Sequence, residues 1–108
     1  MNRTSHVLIA LLVLVSASIA AAKDAPSVER GSKLFNSDVL GTNGRSCATC
    51  HPGGKGLEDV ANAEAKELVT PVNNCIVKAM KGKALSGNSA EMHSLVMYLN
   101  KLGKAKPQ

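Results

Sequence analysis

Arg45-Ser46-Cys47-Ala48-Thr49-Cys50-His51 is the stretch on which the reading of this chain turns. Two thiols stand three residues apart and an imidazole follows at once. Residues at i and i+3 lie on the same side of a helical turn. The thiols of Cys47 and Cys50 are therefore placed to reach one edge of a common object. The next residue continues the turn and carries His51 toward the middle of that object.

The rest of the chain narrows what the object is. It has 108 residues and a formal charge of +5, enough for one domain. Its start has the pattern of a secretory signal peptide. Arg3 and His6 precede the apolar run Val7 to Val15, and small residues follow to Ala22. This predicts a signal peptide over 1–22, cleaved before Lys23, and a mature domain over 23–108. The alternative is an uncleaved anchor helix using Val7 to Ala22, the one route by which the protein would touch a membrane. Either way the domain is exported. Arg3 is the only basic residue lost on cleavage, so twelve basic residues face eight acidic ones and the mature charge is +4. Such a balance favours an acidic protein surface or an anionic solute as partner. Nucleic acid is excluded as a partner by export and by the shortage of aromatics, which are Phe35 and Tyr98 only.

A domain this small buries a modest share of its surface and usually needs a staple. Three cysteines, Cys47, Cys50 and Cys75, do not make a disulfide framework, because an odd count leaves one thiol over. Something else must fill the core.

No stretch alternates with period two, and four helices are predicted. The first covers about Val28 to Asn36 with Ser27 as N-cap. A glycine-bearing loop then leads to the motif, and Pro52 to Gly56 is a second loop. The second helix covers about Glu58 to Val69. The third starts sharply, with Thr70 as N-cap and Pro71 in the first helical position, and stops at Gly82. Val72, Cys75, Ile76 and Ala79 share one of its faces. The fourth begins after Ser89 with Glu91 near its positive end, carries the stripe Met92, Leu95, Val96, Leu99 and Leu102, and closes at Gly103.

In an exported all-α chain, Cys-x-x-Cys-His is the attachment signal of a c-type haem. The two thiols reach the two vinyl groups of one haem edge, and His51 is the proximal ligand of the iron. The porphyrin supplies the apolar body that the core lacks. A thioredoxin-like pair wants a βαβ pattern that is not visible here. A zinc site from Cys47, Cys50, Cys75 and His93 fits the ligand chemistry, but it gives no reason for a histidine directly after the second cysteine.

Gly31-Ser32-Lys33-Leu34-Phe35 and Leu95-Val96-Met97-Tyr98-Leu99 resemble the N-terminal and C-terminal helix patterns of class I cytochromes c. The resemblance covers nearly the whole mature chain. It implies an all-α fold in which those two helices cross around one covalently bound haem. A narrower likeness runs from Pro71 to Leu85 and on through Ser89-Ala90-Glu91-Met92. Its Asn-x-Cys helix, Met-x-Gly-x-x-Leu segment and Ser-x-Glu-Met helix start resemble the haem domains of thiosulfate dehydrogenases. In that family the cysteine of this helix is the distal haem ligand, which implies that role for Cys75. Those enzymes usually carry two haem domains, and this chain has one. Its segment between His51 and Cys75 also looks shorter than theirs.

For the sixth position, Cys75, Met80, Met92, His93 and Met97 are the available groups. Cys75 is the odd cysteine and lies on an apolar helix face, where a free cysteine also behaves as a small hydrophobe. An intermolecular disulfide is a further fate for it. Met80 is the alternative distal ligand. It stands five residues on, about 140° round a regular helix, so both cannot face one iron from a regular helix. Met92 reads as core, and His93 and Met97 fall off the stripe. Thiolate ligation predicts a low potential and methionine a higher one.

Lys78, Lys81 and Lys83 flank this segment, and Lys101, Lys104 and Lys106 crowd the chain end. They read either as ordinary solvated charge or as a docking rim for an acidic redox partner. The function expected is periplasmic transfer of single electrons by one haem c, more a carrier than an enzyme. The alternative is the haem subunit of a sulfur-compound (thiosulfate-type) oxidoreductase. A third reading is a sensor in which the distal ligand leaves and a gas binds.

Overall fold

The computed structural model describes residues 25–105. The signal segment 1–22, and Lys106 of the chain end, lie outside the described residues. The described part is helical and, among the described residues, contains no strand. No helix there is long and apolar enough to cross a membrane.

Helix α1 spans Val28–Asn36. The Ser27 hydroxyl accepts the Arg30 N–H at 3.0 Å and satisfies one of the free donors of the first turn. The last helix begins the same way. Ser89 Oγ accepts from Met92 N at 3.1 Å, with Glu91 in the first turn. Between them lie α2, Cys47–Cys50, and α3, Ala65–Asn74. The last helix, α4, spans Ala90–Lys104.

α1 and α4 cross and form the main packing unit. A side chain on Gly31 would overlap the Ser94 carbonyl oxygen and press on Tyr98, so only glycine lets the two backbones meet. Next to this point Ser94, fully buried, accepts the Ser27 N–H at 3.1 Å and donates to the Ala90 carbonyl at 2.7 Å. Phe35 and Tyr98 meet edge to face, centroids 5.3 Å apart and planes at 64°, a favoured aromatic geometry. Arg30 and Glu91 close the edge at 2.6 Å. The stripe read from the sequence faces inward: Met92, Leu95, Val96 and Leu99 are buried.

The middle of the chain departs from expectation in three places. The helix predicted over Glu58 to Val69 forms only at its end: Glu58–Val60 is a 3-10 turn, and regular helix begins at Ala65. Asn100 Nδ2 binds the carbonyls of Val60 at 2.7 Å and Ala63 at 3.1 Å and ties this segment to α4. The third helix does not start at Thr70. Its start is set earlier, where the Glu67 carboxylate accepts the Glu64 N–H at 2.8 Å. Pro71 thus lies inside α3 and forgoes one ladder bond at an exposed position.

The end of that helix is also different. α3 runs directly into a π-turn, Cys75–Ala79, closed by the Met80 N–H on the Cys75 carbonyl at 3.1 Å. The left-handed residue after it is Lys81, with φ 56°, and not Gly82. Gly82 is required for another reason: any side chain there would overlap the Leu40 carbonyl. Gly103 does not close α4 either; it is buried within the helix against Ala61.

Candidate functional site

The Cys47–Cys50 turn forms where expected. Thr49 Oγ1 accepts the Ser46 N–H at 2.9 Å, and the His51 N–H closes on the Cys47 carbonyl at 3.0 Å. The motif is therefore one helical turn, with both thiols and the imidazole projected from it. A cavity of about 180 Å³ opens beside it, part of it open to solvent.

Three chemistry-bearing residues line the cavity: Cys47, His51 and Cys75. The walls include Phe35, Leu57, Val60, Leu68, Leu95 and Leu99. Pro71 and Val72, one turn before Cys75, complete its side of the opening. The surface is almost wholly apolar apart from the two sulfurs and the imidazole.

His51 is fixed in orientation. Its Nδ1 lies 2.8 Å from the Lys55 carbonyl, which can only accept, so Nδ1 carries the proton and donates. The other nitrogen, Nε2, then holds a free lone pair. This is the usual arrangement of a metal-ligating histidine, in which a second partner sets the tautomer.

The thiols are tuned by burial and by each other. Burial pushes Cys47 up to about 11, and the charge on Cys75 adds to this, against its own backbone hydrogen bond. Cys75 is raised as well, first by burial and then by the charge on Cys50. Cys47 and Cys75 thus stay neutral at neutral pH. Cys50 is exposed and does not line the cavity, yet its charge is felt at Cys75. Cys47 and Cys75 line one cavity although α2 and the π-turn are far apart in sequence.

Met80 stands differently. The π-turn cancels the 140° offset expected of a regular helix, because its closure spans five residues and puts Met80 one turn beyond Cys75. Yet the Met80 side chain is 1% exposed, packs where Gly41 approaches it, and does not line the cavity. Met92 is fully buried core. His93 and Met97 are exposed on α4. His93 does not line the cavity with Cys47 and Cys75. Among the described residues no group of three or more His, Cys, Asp or Glu is placed to hold a metal ion.

Two features escaped the sequence reading. Asn73 holds the segment after the π-turn by both ends of its amide, donating to the Leu85 carbonyl and accepting from the Leu85 N–H, each at 2.8 Å. Thr42 and Asn43 grip the carbonyls of residues 79–81. The only signal for either was an asparagine in a loop or on a helix face. Such a residue announces some backbone bond without naming its partner.

The donor set fits a covalently held haem. It offers two thiols one helical turn apart, an imidazole with a free Nε2, an apolar enclosure and a third thiol from another segment. No family model, curated protein or solved structure matches the chain.

Proposed function

We propose that this chain is an exported monohaem cytochrome c of class I architecture that carries one electron between partner proteins in the periplasm. The observation that carries the reading is the convergence of Cys47, His51 and Cys75 on one apolar cavity, with the Nδ1 proton of His51 already engaged by the Lys55 carbonyl. Cys47 and Cys50 hold the haem as thioethers. His51 offers Nε2 as the proximal ligand and Cys75 its sulfur as the distal one. Bound there, the haem supplies a one-electron iron couple whose potential follows from those two ligands. Phe35, Leu68, Leu95 and Leu99 give the cavity an apolar wall. The α1–α4 crossing keeps that wall rigid.

Cys75 is preferred to Met80 because it lines the cavity while Met80 is spent in packing. The residues that resemble thiosulfate dehydrogenase haem domains support the ligation more than the activity. Asn73 clamps Leu85, Gly82 meets Leu40, Ser89 caps α4, Glu91 pairs with Arg30 and Met92 is core. Of this likeness only Pro71, Val72 and Cys75 line the cavity, and Cys75 alone of them carries reactive chemistry, so a carrier is favoured over a sulfur-oxidising enzyme. Lys78, Lys81 and Lys83 are exposed beside the π-turn and steer an acidic partner, an effect that salt weakens.

The test is ferric and ferrous absorption spectroscopy with redox titration of the wild type, Cys75→Ala and Met80→Ala. Cys75→Ala is expected to lose the thiolate signature and gain potential. Met80→Ala is expected to keep both and lose about 2–5 kcal/mol of stability, the usual cost of a truncated core methionine. If Cys75→Ala leaves spectrum and potential unchanged, the thiolate assignment is wrong.

A further inference from the structure

The last carbonyls of a helix have no partner within it and must find donors elsewhere. After the π-turn, three successive carbonyls find theirs in two successive residues of the loop that precedes Cys47. The Thr42 N–H donates to the Met80 carbonyl at 2.9 Å. The Thr42 hydroxyl donates to the Lys81 carbonyl at 2.7 Å. Asn43 Nδ2 donates to the Ala79 carbonyl at 2.9 Å. Side chains on Gly41 or Gly82 would collide with the opposite backbone, so the two segments interlock without spacers.

Asn43 faces both ways. Its Oδ1 accepts the Arg45 N–H at 3.2 Å, and Arg45 leads directly into Ser46 and the Cys47–Cys50 turn. On the other side, the segment it grips begins at Cys75, whose carbonyl receives the Met80 N–H. One side chain therefore stands between the turn that carries Cys47, Cys50 and His51 and the turn that carries Cys75.

We propose that Asn43 is a positioning residue: by bonding the Ala79 carbonyl and the Arg45 N–H together, it fixes the separation of His51 and Cys75 across the cavity and so how firmly Cys75 holds the sixth position. The inference rests on the haem reading above. Both side-chain hydrogen bonds of Asn43 are to backbone groups, and it acts through them. Thr42 is its neighbour in the same grip and shares the load on the Lys81 side.

The experiment is an imidazole titration of the ferric holoprotein, following loss of the thiolate signature, with the reduction potential and thermal melting measured alongside. Asn43→Asp keeps the acceptor for Arg45 and loses the donor to Ala79. It is expected to release Cys75 at about fivefold lower imidazole, the factor that about 1 kcal/mol of net hydrogen bonding converts to. Its potential is expected to rise. Thr42→Val is expected to move the titration in the same direction. Asn36→Asp is the control: Asn36 makes a comparable exposed bond, to the Ser32 carbonyl at 2.9 Å, but within α1, so it is expected to alter melting at most. A wild type that shows the thiolate signature while Asn43→Asp titrates with it overturns the positioning role and leaves the haem reading standing. A wild type with no thiolate signature removes the ligation on which the inference rests.

Discussion

The molecule has two halves that hold together by different means. In the α1–α4 crossing, backbones touch through Gly31, Ser94 is buried with its hydrogen bonds made, and Phe35 meets Tyr98. In the cavity half, α3 is flanked by the one-turn α2, short 3-10 turns and the π-turn, held by single side chains on backbone carbonyls. The first half is ordinary close packing, in which a small change of volume is felt at once. The second surrounds an apolar cavity, and its order comes from hydrogen bonds to Asn43, Asn73 and Asn100. Phe35, Leu95 and Leu99 serve both halves, but residues confined to one of them should let mutations separate stability from chemistry.

The largest effect is expected at the crossing. Gly31→Val drives a branched side chain into the Ser94 carbonyl and should abolish the cooperative melt seen by circular dichroism, more than about 3 kcal/mol at the top of the usual overpacking range. A melt close to wild type would mean that the helices do not cross there. Truncation distinguishes the halves next. Met92→Ala, deep in the core, should cost about 3 kcal/mol with an unchanged haem spectrum. Leu57→Ala, half-buried on the cavity wall, should cost about 1 kcal/mol and shift the spectrum. Equal costs with equal spectra would erase the distinction.

Asn73→Ala tests the second half alone. It leaves the Leu85 N–H and carbonyl without their partner, for about 1–3 kcal/mol by chemical denaturation. The smallest effect belongs to the Arg30–Glu91 pair, whose side chains are 28% and 37% exposed. Glu91→Gln should cost about 0.5 kcal/mol, and less in high salt. A cost above that of Asn73→Ala would reverse the order of the two halves.

The same division decides what the sequence could tell. The ends of the domain were legible because their signals are local. Ser27 and Ser89 cap the helices they were expected to cap, and the stripe from Met92 to Leu99 faces inward as its period requires. The Cys47–Cys50 turn was legible for the same reason. The middle was not. Thr70-Pro71 reads as a helix start, yet Glu64 and Glu67 had already begun α3. The π-turn is sustained by a loop more than thirty residues away, through Thr42 and Asn43, and no window of sequence contains both sides. Cys75 could be turned inward from its helix face alone. The withdrawal of Met80 into the core depended on that distant loop and could not be read.

The central claim is that Cys47 and Cys50 are thioether anchors of a haem with His51 beneath it. Intact mass of the mature protein, made in a host competent in cytochrome maturation, tests it most directly. The account predicts a coloured product whose mass is the polypeptide from Lys23 to Gln108 plus one covalently bound haem, and a Cys47→Ser, Cys50→Ser double variant without that addition. A colourless wild-type product with the mass of bare polypeptide would contradict it.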